Sequence, residues 1–170
     1  VYHVAQSDDV AKELTRKNVY NFIILPFAPT ADPNRFTPTA KGKSVYIYTN
    51  PSRPKLYGCD IYRKVVRLMP HISFMFAVNP TTPKEKISKN TITVSHDKVE
   101  YLYRKCFICL RPTIHDGISA TIQELGLMGI KTVHNGDTPS CIQYDSVEDI
   151  VGIITREMKT VGTVDYDTAR

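Results

Sequence analysis

Two short stretches of the sequence place charged side chains directly before a predicted helix. The first, residues 50–58, reads Asn-Pro-Ser-Arg-Pro-Lys-Leu-Tyr-Gly and contains Arg53 and Lys55. Cationic side chains and the free N–H groups of a helix N-terminus are the groups that bind phosphate. The chain contains neither the Walker pattern G-x-x-x-x-G-K nor the dinucleotide-binding pattern G-x-G-x-x-G. This stretch therefore indicates an anion site of another kind, with a solvated basic turn as the alternative.

The second stretch, residues 110–119, also leads from a predicted strand into a predicted helix. Arg111, His115 and Asp116 come shortly before the helix, and Gly117 follows Asp116 directly. Unpaired backbone N–H groups at the helix start favour an anion here as well. Asp116 as a simple helix cap and His115 as a surface residue are the alternatives. The candidate binding positions of this stretch are Arg111, His115, Gly117, Ile118 and Ser119.

A carboxylate follows on the same predicted helix. Glu124 lies eight residues after Asp116, among neighbours that are mostly apolar or small. A carboxylate on a helix that packs against a sheet is costly to bury unless it is hydrogen-bonded. One turn into the helix, Glu124 could accept two hydroxyls of a sugar ring. An ordinary surface glutamate is the alternative.

Strand-like and helix-like patterns alternate along the chain, and this alternation defines the fold class. Helical spacing of apolar residues predicts helices at 8–17, 58–69, 97–105, 119–128 and 146–159. Apolar runs predict strands at 1–5, 20–27, 44–49, 72–78, 91–94, 106–110, 131–133 and 141–144. Such alternation is typical of an α/β fold with a Rossmann-like, doubly wound parallel sheet. Ligands of such sheets bind at the carboxyl ends of the strands, where both candidate stretches lie.

Composition and charge exclude several classes of protein. The chain has 170 residues, 42% of them hydrophobic, and a formal net charge of +5. These values are not those of a disordered chain or a coiled coil. No apolar run reaches the roughly 18 residues that a membrane span needs. The basic residues are scattered rather than gathered in a stripe with aromatics, so nucleic acid is not an expected partner.

Four cysteines raise the question of a metal or redox site. Cys106 and Cys109 have C-x-x-C spacing but fall within a predicted strand, where residues three apart point to opposite faces. We therefore expect core thiols, no metal site and a reducing compartment. The expected location is the cytoplasm, with peripheral association at a membrane as the alternative.

The residues around Glu124 resemble a known signature. The stretch from Asp116 to Val133, DGISATIQELGLMGIKTV, is similar to the E-x7-E motif of retaining GT-B glycosyltransferases. That motif reads E-G-F-G-L-P-x-x-E-A-M-A-x-G and is followed by a strand. Asp116 stands for the first acid, Glu124 for the second and Gly129 for the closing glycine. Ser52-Arg53 is similar to the family's Gly-Arg, and Leu25 to Pro38 is similar to its interdomain linker.

The resemblance implies the donor-binding half of a glycosyltransferase. Residues 1–40 would be the tail of an N-terminal domain with the interdomain linker, and residues 41–170 the nucleotide-sugar-binding domain. Such enzymes transfer a sugar from a nucleotide sugar, such as a UDP- or GDP-sugar, with retention of configuration. The acceptor, a glycan, lipid or protein, would bind the missing N-terminal domain. No cofactor or metal is implied.

The resemblance also assigns roles to individual residues. Arg53, Lys55 and the helix start at residues 117–119 would hold the pyrophosphate, and Glu124 the ribose hydroxyls. Asp116 would lie beside the transferred sugar, so Asp116 and Arg53 are the predicted catalytic residues. Arg111 and His115 would add phosphate or sugar contacts. In three places the chain departs from the family pattern: Asp116 replaces the usual Glu, Tyr57-Gly58 replaces Lys-Gly, and a shorter turn at 134–137 replaces Gly-Gly-x-x-Glu.

Two other functions fit the same residues. A nucleotide-sugar epimerase could use His115 and Asp116 as base and acid. A non-catalytic α/β interaction module could use the basic charge to bind an anionic partner such as RNA or anionic lipid. Saturable binding of one nucleotide sugar would favour the transferase, and salt-dependent binding to RNA or acidic vesicles would favour the module.

Overall fold

The computed structural model describes residues 3–5, 8–24, 31–50, 52–78, 88–95, 99–114, 119–136 and 139–169. Each predicted strand and helix is found, with ends that differ by a few residues. The strands are β1 (His3–Ala5), β2 (Phe22–Ile24), β3 (Ser44–Tyr48), β4 (Ser73–Val78), β5 (Thr91–Ser95), β6 (Cys106–Leu110), β7 (Thr132–Val133) and β8 (Cys141–Ile142). The helices are α1 (Asp8–Arg16), α2 (Cys59–Leu68), α3 (Val99–Tyr103), α4 (Ala120–Leu127) and α5 (Val147–Glu157), which continues as a 3-10 turn, Met158–Thr160.

The described strands form two sheets. Six strands pair in the order β5-β4-β3-β6-β7-β8, and every pair is parallel. β1 and β2 pair separately, also in parallel. The strand order changes direction between β3 and β6, so the ends of these two strands flank the switch point of the sheet. This is the doubly wound, Rossmann-like arrangement that the sequence predicts.

The core lies on both faces of the six-stranded sheet. One cluster fills the space between the sheet and helices α2 and α5, and includes Val66, Phe76 and Ile154. The other packs Tyr46, Tyr103 and Leu125 under α3 and α4, together with Phe36 from the segment before β3. Continuous burial of β3, β4 and β6 follows from helices on both faces.

The cysteines of β6 correct one prediction. Cys106 and Cys109 are buried in the same cluster and so lie on the same face of the sheet, not on opposite faces. The reason is a bulge: Ser44 pairs with Cys106, but the next residue, Val45, pairs with Ile108. The extra residue interrupts the alternation of side chains along β6. Cys109 therefore points to the same face of the sheet as Cys106, although it lies three positions later. Burial raises the pKa of the Cys106 thiol well above its ordinary value.

An ion network closes the N-terminal edge of the sheet. Lys41, just before β3, has a side chain that is 1% exposed and lies 3.7 Å from Glu157 and 3.3 Å from Asp165. Lys131, just before β7, approaches the same two carboxylates at 3.5 and 3.8 Å. The Lys41 amide also donates to the Thr163 carbonyl at 2.9 Å. The chain end is thus attached to the start of β3.

Two kinds of feature are absent from the residues that the structure describes. None of the helices in the ranges given above is long and apolar enough to span a bilayer. Within those same ranges, no three His, Cys, Asp or Glu side chains are grouped so that they could hold a metal ion.

Candidate functional site

The two candidate loops meet at the carboxyl edge of the sheet. One runs from the end of β3 to α2, and the other leaves the end of β6 toward α4. The Ile114 N–H donates a hydrogen bond to the Leu56 carbonyl at 3.0 Å and joins them. Gly58 has a positive φ of 59°, and a Cβ at this position would collide with the Pro112 carbonyl. Only glycine therefore allows this close approach.

Hydrogen bonds join the two ends of the first loop, which connects β3 to α2. The Thr49 hydroxyl lies 3.2 Å from the Tyr62 hydroxyl, which donates to the Cys59 sulfur at 2.9 Å. Burial is the main cause that raises the pKa of Tyr62 to about 12. The phenol is therefore neutral and available as a donor at physiological pH, so the start of α2 is fixed to the end of β3.

Arg111 is the buried cation of this edge. The residue is 7% exposed, and its guanidinium carbon lies 5.7 Å from the centre of the Tyr48 ring. Tyr48 in turn contacts Tyr57 edge to face, with ring centres 5.9 Å apart. Burial raises the pKa of Tyr48, and the nearby Arg111 charge partly opposes that rise. An arginine stacked on an aromatic ring is held in one orientation and presents its N–H groups to one side.

His134 fixes the backbone of Arg111. The histidine is 6% exposed, and its Nδ1 lies 2.9 Å from the Arg111 carbonyl oxygen. A carbonyl only accepts, so Nδ1 carries the proton in this contact. The Arg111 N–H donates to the Val133 carbonyl at 3.0 Å. The end of β6 is therefore held by β7 and by the residue after it.

Arg53 and Lys55 differ from Arg111 in exposure. Both lie in the exposed turn of the first loop, in which the Ser52 and Arg53 N–H groups donate to Asn50. Within the part of the chain that the structure describes, neither cation forms an ion pair. Their charges extend into solvent at the edge where Arg111 lies.

Glu124 occupies the other face of the sheet, on α4. Ser119 begins this helix with extended backbone angles, and its carbonyl accepts from the N–H groups of Ile122 and Gln123. Glu124 is half-buried, and its Oε2 accepts a hydrogen bond from the Tyr103 hydroxyl at 2.8 Å. Burial raises the pKa of Glu124, while the Tyr103 hydrogen bond and the Arg35 charge oppose that rise. The carboxylate is therefore positioned by a phenol that is itself fully buried.

The predicted site residues separate into three groups. The structure brings Arg111 together with the loop that carries Arg53 and Lys55. It places Glu124 and the helix start at Ser119 on the α4 side, in a different set of contacts. Four predicted positions lie outside the described residues: His115, Asp116, Gly117 and Ile118.

Sequence reasoning missed the residues that hold the site. Tyr48, Tyr57 and His134 all lie at carboxyl ends of strands or in the loops that follow them. Their position in the sequence could therefore have identified them as site residues. Tyr103 had no such signal, because its contact with Glu124 joins two residues that are 21 positions apart on different helices.

Comparison with known proteins identifies the fold. No protein-family profile matches the chain, and no curated protein sequence matches it. Among solved structures, the chain is similar to Anabaena HepE in complex with UDP and glucose, with a TM-score of 0.71 and 10% identity over 99% of this chain. It is also similar to sucrose-phosphate synthase from Thermosynechococcus elongatus, with a TM-score of 0.69 and 11% identity over 98% of this chain. The fold is the Rossmann-like fold found in GT-B glycosyltransferases.

The lengths of these proteins differ from that of the chain. It covers 58% of the HepE chain and 52% of the sucrose-phosphate synthase chain, so it spans about half of each. A third similar structure is the C-terminal domain of the glycosyl transferase group 1 family protein LpcC from Francisella tularensis. In that case the TM-score is 0.54 at 11% identity, and the match covers 81% of this chain and 95% of the domain.

Proposed function

We propose that this chain is the donor-binding part of a glycosyltransferase that takes a nucleotide sugar, transfers the sugar with retention and needs no metal ion. One observation carries the proposal. Two loops rich in anion-binding groups are hydrogen-bonded together at the carboxyl edge of a sheet with this fold. Ligands of such sheets bind at that edge. The similarity to HepE, whose structure contains UDP and glucose, supports a nucleotide sugar and favours neither the epimerase nor the interaction module.

The charges of the site suit the reaction. The bond between the anomeric carbon and the phosphate oxygen breaks, the acceptor oxygen forms the new bond to that carbon, and the acceptor proton passes to the departing diphosphate. Negative charge grows on the leaving pyrophosphate, and fixed cations stabilise it most when they are already in place. Arg111 is held by Tyr48 and His134, so it meets this requirement. Arg53 and Lys55 would close on the phosphates from the solvent side.

Glu124 would bind the ribose. Tyr103 occupies Oε2, which orients the carboxylate so that Oε1 can accept a sugar hydroxyl. The group must be ionised to accept two hydroxyls, and its raised pKa makes that ionisation sensitive to acid. By the resemblance, Asp116 would lie beside the transferred sugar and His115 would add a phosphate or sugar contact.

The β1–α1–β2 unit would belong to an acceptor-binding domain. Val4 and Ile23 are paired neighbours on the sheet face that α1 does not cover, and they are 53% and 52% exposed. Parallel sheets are normally covered on both faces, and sheets of only two strands have little stability of their own. We therefore assign this unit to a larger α/β domain that binds a glycan, lipid or protein acceptor.

Calorimetry with UDP, GDP and their glucose derivatives, in the presence of EDTA, tests the proposal. We expect saturable binding of one nucleotide series that EDTA does not weaken. Arg53→Ala should weaken it about tenfold, since a charge-assisted hydrogen bond contributes about 1.5–3 kcal/mol. Lys43→Ala is the matched control, because Lys43 is an exposed cation at the opposite end of β3.

The outcomes separate clearly. Equal loss in Arg53→Ala and Lys43→Ala would mean that the nucleotide responds only to net charge. Absence of binding to all four ligands at millimolar concentration, in a chain that remains folded by circular dichroism, would contradict the proposed donor site.

A further inference from the structure

One surface of the molecule carries cations that the proposed site does not use. The outer face of α2 and the turn after it expose Lys64, Arg67, Leu68 and His71, at the spacing i, i+3, i+4, i+7. This spacing places Lys64, Arg67 and Leu68 on one side of the helix, away from the buried Val65 and Val66, while His71 lies in the turn beyond the helix end. Leu68 is 56% exposed among these cations.

A residue from a distant segment lies next to the end of this helix. The Asn90 side chain donates to the Met69 carbonyl at 3.0 Å and to the Ile72 carbonyl at 2.9 Å. The exposed Lys89 is therefore held beside the end of α2. Arg63, half-buried on the flank of the helix, adds a further positive charge. We call the set Arg63, Lys64, Arg67, Leu68, His71 and Lys89 the α2 basic surface.

Several cations elsewhere in the described chain are paired with carboxylates, whereas Lys64, Arg67 and Lys89 resemble the exposed Arg53 and Lys55. On α1, Arg16 and Lys17 both approach Glu13, at 3.8 and 3.3 Å. On α3, Arg104 and Glu100 form an ion pair of 3.1 Å. Lys64, Arg67 and Lys89 form no ion pair with any residue of the described ranges. The helix dipole favours a cation in the last turn, which explains the presence of Arg67. It does not explain the presence of Lys89 or of an exposed leucine.

We propose that the α2 basic surface binds a membrane that contains anionic lipid. Cations near such a surface are attracted to its headgroups, and Leu68 can enter the interfacial region between them. A single-stranded nucleic acid would instead be bound by aromatic rings on which bases stack. Residues 63–72 contain no Phe, Tyr or Trp. The proposal concerns a surface outside the candidate nucleotide site and does not depend on the function proposed for that site.

Co-sedimentation with lipid vesicles tests it. The 170-residue chain is mixed with vesicles of phosphatidylcholine alone, or with about 30% phosphatidylglycerol, a level that makes the surface strongly negative. We expect binding only to the anionic vesicles and its loss as salt rises to about 0.5 M, where screening is strong. Lys64→Gln/Arg67→Gln should weaken the partition coefficient roughly 25-fold, or about fivefold for each cation.

Two further variants make the test specific. Lys12→Gln/Lys17→Gln removes the same charge from α1 and should retain binding within about twofold of the wild-type chain. Leu68→Ser should weaken vesicle binding several-fold while leaving any binding to poly-U RNA unchanged. All these side chains are exposed, and far-UV circular dichroism confirms that each variant is folded.

Three results would overturn the inference. The first is wild-type chain that stays in the supernatant with anionic vesicles at low salt. The second is equal weakening by the α1 and α2 double variants, which would reduce the effect to net charge. The third is poly-U binding as tight as vesicle binding together with no effect of Leu68→Ser, which would assign the surface to a polyanion.

Discussion

The buried ion network at the N-terminal edge of the sheet makes a quantitative prediction for Lys41→Met. The side chain of Lys41 is 1% exposed, and the change leaves Glu157, 6% exposed, without its closest buried counter-charge. Breaking a buried ion pair from one side costs about 3–5 kcal/mol. Lys131 remains 3.5 Å from Glu157, so we expect the lower end, about 3 kcal/mol. For a chain of this size that corresponds to about 6–12 °C in Tm.

Urea and thermal unfolding, followed by circular dichroism, measure this loss. Lys43→Met is the control, since Lys43 is exposed, two residues away, and should change stability by less than about 0.5 kcal/mol. The double variant Lys41→Met/Glu157→Met should recover much of the loss, because two apolar side chains replace a desolvated pair. A loss below about 1 kcal/mol for Lys41→Met, or a double variant less stable than the single one, would refute the reasoning.

Three other predictions concern Glu124 and Gly58. Glu124→Gln should weaken nucleotide binding about tenfold, which calorimetry measures. It should not lower the Tm, because the amide oxygen still accepts a hydrogen bond from Tyr103 and the cost of burying a charge disappears. Thermal unfolding of the same sample measures the Tm. Because the pKa of Glu124 is raised in the folded state, its contribution to stability should increase as pH falls from neutral toward the ordinary glutamate range, and the Gln variant should lack this dependence in unfolding measured against pH. Gly58→Ala should lower the free energy of unfolding by at least about 2 kcal/mol, because the residue has a left-handed conformation and the new Cβ would collide with Pro112. Gly152→Ala should raise the free energy of unfolding by up to about 1 kcal/mol, because there is open space around this position in α5. Urea unfolding of the two variants measures both changes.

A further prediction concerns acid. Burial alone would raise the pKa of Asp165, but hydrogen bonds from Thr168 and the Lys41 charge bring it below its ordinary value. A carboxyl with a lowered folded pKa stabilises the fold above its unfolded pKa, and this stability is lost as pH falls through the folded value. Asp165→Asn should therefore make the free energy of unfolding less dependent on pH below about 4.

The elements of this fold could be predicted because each carries a local signal. Ser146 and Asp149 form the capping box that opens α5, and Gly129, with a φ of 77°, ends the turn after α4. The bulge in β6 carries no such signal, because it depends on how Cys106 and Ile108 pair with β3. Consequently the strand was predicted correctly and the direction of its thiols was wrong.

The site residues show the same limit at longer range. A polar residue after a strand could be selected from sequence, which is how Arg53, Lys55 and Arg111 were chosen. Their exposure could not, because burial of Arg111 depends on Tyr48 and on His134, a residue 23 positions away. The burial of Lys41 depends on Asp165, 124 residues away, and no local pattern predicts it.

The two edges of the sheet differ in whether their cations are paired with carboxylates, and this difference bears on function. At the N-terminal edge, Lys41 and Lys131 are compensated by two carboxylates, so their charges are satisfied within the fold. At the carboxyl edge, Arg53 and Lys55 form no ion pair within the described part of the chain and lie in solvent. A cation compensated inside the protein contributes to stability and little to ligand binding. An uncompensated cation costs little stability and remains available to an anion. Variants at the two edges should therefore separate: Lys41 changes unfolding, and Arg53 changes nucleotide binding.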